Sequence, residues 1–143
     1  MKIRIQKTLP NAKTPKYATA GSVAFDLHAC DHMIIMPGEM RFIHTGIAVE
    51  IPPGFEMQVR QRSGLSMKYP NYIANGVGTI DQDYRGEVLV MVRNNNRLGE
   101  YLEIKEGDRI AQAIISPVVQ CEFEEVAALS STDRGSGGFG STG

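Results

Sequence analysis

Apolar and polar positions alternate with a period of two along several short stretches of this chain. The clearest places Phe55, Met57 and Val59 on one side and Glu56, Gln58 and Arg60 on the other. Successive side chains of a strand point to opposite faces, so the alternation predicts a half-buried strand. Similar stretches run over Lys2 to Gln6, Val23 to His28, Ile47 to Ile51, Glu87 to Val92 and Leu102 to Lys105. Between them stand Pro37-Gly38, Pro52-Pro53-Gly54, Asn94-Asn95-Asn96 and Glu106-Gly107-Asp108. Short strands spaced by turn residues argue an all-β sandwich or barrel. One short helix is predicted over Ser63 to Lys68, with Ser63 as cap and Leu65 packing inward, against the low helix propensity of Gly64. Ile110 to Val119 is nearly all apolar apart from Gln112 and Ser116. This predicts a strand covered on both faces, by its own domain or by a neighbouring subunit, in which a polar residue needs a partner.

Composition narrows the picture. Among 143 residues there are 15 Gly and 7 Pro, and the longest stretch free of both runs from Val118 to Arg134. Long helices have little room. Fifteen basic residues against 16 acidic ones leave a formal net charge of -1, which excludes a polycation built to coat nucleic acid. No apolar run approaches the roughly 18 to 20 residues of a membrane span. Met1 to Leu9, carrying Lys2, Arg4 and Lys7, has too few consecutive apolar residues for a signal peptide. The expectation is a single cytoplasmic domain with neither nucleic acid nor membrane as partner, a nuclear or host-cell location being left open. Cys30 and Cys121 lie far apart and are read as free thiols.

The chain ends differently from how it begins. Ser130, Ser131 and Thr132 lead into RGSGGFGSTG. Such composition suits a disordered tail. It equally suits a mobile arm that orders over a flat anionic ligand, Arg134 and backbone amides facing charge and Phe139 facing a ring.

Three places carry polar residues that the strand pattern does not require. Asp26 stands in the apolar run Val23, Ala24, Phe25, Asp26, Leu27, where it faces either solvent or a ligand. Gln61 to Leu65 reads QRSGL: Arg62 offers a fork of donors, and Ser63 with Gly64 presents a hydroxyl and bare amides, a serviceable phosphate seat. Asn75 to Glu87 reads NGVGTIDQDYRGE. Two neighbouring carboxylates, Asp81 and Asp83, are costly unless a cation, water or arginine offsets them, and Gly76, Gly78 and Gly86 around Tyr84 let a ligand approach the backbone. A solvated acidic hairpin is the alternative. His28, Cys30 and His32 imitate a metal site, but three ligands within five residues of a strand rarely converge tetrahedrally. His44 reads as structural or exposed. GxxxxGK[ST], HExxH, GxSxG and a strand-to-helix GxGxxG are all absent.

AGSVAFDLHA (Ala20 to Ala29), RSGLSMK (Arg62 to Lys68), NGVGTIDQDYRGEV (Asn75 to Val88), GDRIAQAII (Gly107 to Ile115) and STDRGSGGFGSTG (Ser131 to Gly143) together resemble the five ordered motifs of the dUTP pyrophosphatases. The resemblance implies a distorted jelly-roll, a β-clip barrel of short strands with one short helix, over residues 1–130. It also implies a flexible glycine-rich arm over 131–143 that completes the active site. The implied assembly is a homotrimer with active sites at subunit interfaces. The implied reaction is Mg²⁺-dependent hydrolysis of dUTP to dUMP and pyrophosphate, removing dUTP and supplying the precursor of dTMP.

Carried residue by residue, the resemblance makes Asp81 the group that orients and deprotonates the attacking water and Asp26 the holder of Mg²⁺ through its water shell. Arg62, Ser63, Gly64 and Gln112 become phosphate contacts, joined from the arm by Arg134, Ser141 and Thr142. Asn75, Gly78, Ile80 and Tyr84 form the uracil and deoxyribose pocket, and Phe139 stacks over the base. Two departures stand out: Val23, Ala24 and Phe25 where the family reads alanine, glycine, tyrosine, and Gln61 where it reads proline. A dCTP deaminase of the related branch would need no phenylalanine-containing glycine arm. A non-catalytic nucleotide sensor would have no need of Asp81, Asp26 and Arg134 together.

Overall fold

A computed structural model describes residues 1–68 and 71–141 of the chain. Its strands are β1 (Arg4–Lys7), β2 (Phe25–His28), β3 (Met33–Ile35), β4 (Met40–Glu50), β5 (Phe55–Arg60), β6 (Asn71–Ile73), β7 (Gly78–Ile80), β8 (Glu87–Asn94), β9 (Leu102–Ile104) and β10 (Arg109–Pro117). One helix, α1 (Ser63–Lys68), follows β5. The alternation at residues 55 to 60 gives β5, with Met57 and Val59 buried.

The strands form two four-stranded sheets, ordered β1-β4-β8-β6 and β2-β10-β5-β7, and a ribbon of β3 with β9. Every pairing is antiparallel. The three sheets share one core: Ile43, Val49, Val88 and Val90 from the first, Leu27, Met57, Val59 and Ala113 from the second, Ile35, Leu102 and Ile104 from the ribbon. Burial of these side chains, worth about 1.5 to 3 kcal/mol for each large aliphatic group, holds the layers together. The expected barrel is corrected here. The chain is β-rich with one short helix, but the sheets do not close: the ribbon pairs only with itself, and the edges of the two larger sheets stay unjoined. Three-residue strands such as β3, β6, β7 and β9 are too short to carry hydrogen bonding around a closed circuit.

Within its own chain β10 is covered mainly on one face. Ile110, Ala111 and Ala113 are buried, Ile114 and Ile115 only half-buried, and Val119 lies beyond the strand in solvent. It is central in its sheet, between β2 and β5, so its backbone is paired on both edges while the face of Gln112, Ile114 and Ser116 is only half-buried.

β4 is longer than its apolar alternation because a bulge interrupts its pairing with β8 between His44 and Ala48. Gly46 sits there at φ 65°, and a Cβ would fall 2.7 Å from the Ala12 Cβ and 2.8 Å from the Cys30 Sγ. Only glycine fits. Glu87 secures the bulge: one carboxylate oxygen accepts from the Gly46 N–H at 2.7 Å, the other meets His44 Nδ1 at 3.0 Å.

Candidate active site

Register in the second sheet sets three polar side chains in a row. Gln112 of β10 lies opposite Asp26 of β2 on one side and Arg60 of β5 on the other. Directly opposed residues share a face, so the row points away from the core. The chain then turns at Gln61 into α1, which brings Arg62 back over β2. Arg62 Nε donates to Asp26 Oδ1 at 2.7 Å, and Arg109 Nη1, from the start of β10, donates to Asp26 Oδ2 at 3.3 Å. Arg62 Nη1 also donates to the Arg109 carbonyl at 3.2 Å. Asp26 and Arg62 each keep about a fifth of their side-chain surface exposed, so the pair is largely desolvated yet reachable. Gln112 finds the partner its apolar strand required: its Nε2 donates to the Gln61 carbonyl at 2.9 Å. The Gln61 side chain in turn donates to Ser66 Oγ at 2.6 Å, ordering the turn where the family reads proline. Ser63 and Gly64 open α1 beside this cluster.

Phe25 stands where the family has tyrosine. Its ring meets Tyr17 edge to face, centroids 5.7 Å apart at 89°, and its backbone bridges to Tyr17. The substitution thus anchors the segment before β2 by aromatic packing.

A second group forms along β7, which runs antiparallel to β5 from Val59 toward its start, and in the loop after it. After β6 the chain turns through Gly76, at φ 73°, and Gly76 N–H donates to the Ile73 carbonyl at 2.9 Å. Gly78 opens β7 with the Asn75 amide above it: an added Cβ would lie 3.3 Å from Asn75 Nδ2 and 3.2 Å from the Val59 Cβ. Ile80 ends β7 and packs against the core. The loop that follows is tied by Tyr84 N–H donating to the Asp81 carbonyl at 3.2 Å and Tyr84 O–H donating to the Glu87 carbonyl at 3.0 Å. The Tyr84 ring covers Gly86, where any side chain would collide with it. Asp81 and Asp83 both border a cavity of about 710 Å³ with Glu56, and no lysine or arginine lines it. That leaves the carboxylates facing an open space without a counter-ion among the described residues.

These two groups do not meet within one chain. Ile80 pairs with Met57, near the start of β5, while Arg62 lies just past its end. Asp81 follows Ile80 at the Met57 level of β5, whereas Asp26 is level with Arg60 and lies three strand spacings away across β5 and β10, which puts the two carboxylates about 20 Å apart.

The arm forms a third group. Val118 N–H donates to the Gly54 carbonyl at 2.9 Å, and beyond it residues 119 to 141 contain neither strand nor helix. The hydrogen bonds of residues 132 to 141 stay within the arm, among them Arg134 Nε to the Gly137 carbonyl at 2.9 Å. Phe139 is fully exposed and holds a left-handed backbone at φ 49°. Ser141 is exposed, and Thr142 lies outside the described residues.

The row of polar side chains thus brings Asp26, Arg62 and Gln112 together. Arg109 and Arg60 were missed, although Arg109, a cation directly before an apolar run, was visible in GDRIAQAII. His28, Cys30 and His32 diverge: His28 borders a second cavity together with Asp26 and Arg109, Cys30 is buried, and His32 turns to Glu103 at 3.0 Å.

Comparison with known proteins fits this arrangement. The dUTPase family model matches residues 10–143. A deoxyuridine 5'-triphosphate nucleotidohydrolase of Nautilia profundicola is 51% identical over 143 residues, covering 100% of this chain and 99% of that protein. Among solved structures, the dUTPase of Staphylococcus bacteriophage 80alpha with dUpNHpp superposes with a TM-score of 0.90 at 26% identity, over 99% of this chain and 98% of that one. A dUTPase mutant from phage phi11 of S. aureus, described with a coordinated structural Mg(II) ion, shares the fold with a TM-score of 0.83 at 24% identity, over 90% and 98%. The family match and the relatives make the chain a hydrolase. The chain belongs to the dUTPase family.

Proposed function

We propose that this enzyme hydrolyses dUTP to dUMP and pyrophosphate by in-line attack of water on the α-phosphorus, in a homotrimer whose sites combine pieces of different copies. The observation that carries the reading is the Asp26–Arg62 contact at 2.7 Å with Gln112 abreast, which seats phosphate, set about 20 Å from the Asp81 loop on the same chain. A water in contact with Asp81 and a phosphorus held by Arg62 must lie within one bond-forming distance. Two copies meeting across an interface supply both.

In this reading Asn75 and the β6–β7 turn read the uracil edge, Gly78 and Ile80 shape the pocket, and the Tyr84 ring packs against deoxyribose. Asp81 aims the water and takes its proton as the new phosphorus–oxygen bond forms. The bond from the α-phosphorus to the bridging oxygen breaks, and Ser63 donates to that oxygen as it gains charge. Arg62, Gly64 and Gln112 hold the phosphates, while residues 131–143 close over them through Arg134, Ser141 and Thr142, Phe139 stacking on the base.

The residues fit a magnesium ion of the kind the family uses. Asp26 borders a cavity, and its Oδ2 is held only by the long Arg109 contact, so it can accept from a hydrated cation. Among the described residues no three carboxylate, histidine or cysteine groups gather as an all-protein cage. A cation held by one carboxylate through water and by substrate phosphates suits Mg²⁺. When bound, it would neutralise charge on the triphosphate. Cys30 and Cys121, both free thiols, suit a cytoplasmic workplace.

Incubation with dUTP and Mg²⁺ is expected to yield dUMP and pyrophosphate in equal amounts, and chelation is expected to stop it. Asp81→Asn is expected to lower kcat by roughly a thousandfold with little change in KM. Equal turnover by the Asp81→Asn protein would contradict the reading.

A further inference from the structure

A cavity of about 630 Å³ lies between the N-terminal segment and the second sheet, lined among others by Lys7, Lys13, Lys16, Asp26, His28 and Arg109. Its charge is one-sided. Asp26 is the single carboxylate in the lining, and both its oxygens already accept from Arg62 and Arg109. None of the three lysines has a carboxylate within ion-pair distance among the described residues. Lys13 alone is pinned, donating from Nζ to the Gly107 carbonyl at 3.3 Å. The exposed Lys7, Lys13 and Lys16 bring like charges to the lining of one space, where they repel across water, in a chain whose net charge is -1. A compact polyanion relieves that repulsion, and Lys, a point charge on a flexible stem, binds phosphate without demanding one geometry.

We propose that this cavity is an oligophosphate site, and that it receives the pyrophosphate that hydrolysis releases. The assignment of the anion rests on the proposed function, because Arg109 and Asp26 form a wall common to the cavity and the phosphate seat. Free pyrophosphate carries more negative charge than a nucleotide monophosphate, so the lysines select the leaving group over dUMP.

The test titrates pyrophosphate and dUMP separately into the full-length protein, followed by calorimetry, for the native chain and for a Lys13→Gln/Lys16→Gln variant. Removing two exposed cations is expected to weaken pyrophosphate binding by roughly fivefold and to leave dUMP binding unchanged. A Lys13→Arg/Lys16→Arg variant is expected to retain it. In turnover, the KM for dUTP is expected to stay unchanged in the Gln variant, and a KM raised by the same factor would overturn the assignment to released product. Pyrophosphate affinity identical in the native and Gln variants overturns the site. The titration needs no turnover, so an inactive native enzyme would overturn the proposed function while the cavity is still read independently.

Discussion

The two ends of β5 carry opposite chemistry. Past Arg60 the chain gathers Arg62 and Arg109 around one aspartate, with Gln112 alongside. Near Phe55 the second sheet borders a cavity holding Glu56, Asp81 and Asp83 with no cation in its lining. The first end sets two guanidinium groups on one carboxylate and keeps a net positive charge, while the second lines its cavity with carboxylates and no cation. A carboxylate cluster left facing open space is unfavourable for an isolated chain and becomes favourable once a cationic surface or a ligand's counter-ions arrive. The same strand therefore presents two halves, one preorganised and one waiting for a partner.

Several outcomes would break or sharpen that contrast. The largest concerns the arm, whose described hydrogen bonds stay within itself. Deleting Ser131 to Gly143 is expected to lower kcat/KM by roughly a hundredfold or more while sedimentation stays that of the intact assembly. A monomeric or insoluble truncate would make the arm a structural element instead.

Next in size is a change distant from both ends. Asn94 is buried, and its Nδ2 donates to the carbonyls of Ile35 at 3.0 Å and Glu100 at 2.9 Å, while its Oδ1 accepts from the Asn96 N–H at 2.9 Å. Asn94→Ala strands two carbonyls and is expected to cost about 2 to 4 kcal/mol in urea unfolding. At temperatures where the variant is folded, kcat and KM should match the native enzyme. A catalytic defect there would blur the division between core and site.

The smallest effect is a pH dependence at the β4 bulge. The Glu87 hydrogen bond raises the His44 pKa above 6.5, with burial opposing it. A group whose folded value is raised contributes its full stability below the unfolded value and loses it as pH climbs through the folded one. Stability from this pair is therefore present below about pH 6.5 and fades above it. His44 is nearly half exposed, so screening limits the effect to roughly 0.5 kcal/mol or less. Thermal melts from pH 6 to pH 8.5 should decline slightly more for the native chain than for His44→Gln, and parallel curves would remove the pair from the account.

What could be read in the chain follows from the range of the interactions involved. The bounds of β5 and α1 were legible to the residue, β5 because alternation over six residues acts locally; Ser63 is the first residue of α1, and its hydroxyl makes no capping bond among the described residues. β3, β6 and β7 were not, since three residues carry no periodicity. The alternation around Ile47 marked only the end of β4: the bulge at Gly46 shifts the pairing and breaks the pattern. The barrel was expected from strand count and family likeness, but closure depends on edges pairing across the molecule, which no local pattern encodes. For the site, the motifs marked Asp26 and Arg62 separately. Their contact spans 36 positions and depends on β2 and β5 flanking β10. Arg109 was overlooked because a strand-end arginine looks solvated until its aspartate is in place. The cluster of Lys7, Lys13 and Lys16 passed as an ordinary charged N-terminal segment for the same reason.

The central claim is that the two ends of β5 act in one site only across copies. Arg62→Ala and Asp81→Asn proteins, each expected to be nearly inactive, should be co-refolded in equal amounts and assayed for pyrophosphate release from dUTP. Random mixing in the trimer places an intact Arg62 end beside an intact Asp81 end at about one quarter of the sites, so about one quarter of native activity should return. A mixture no more active than its two inactive parents would show that each chain builds its site alone, and would contradict the account.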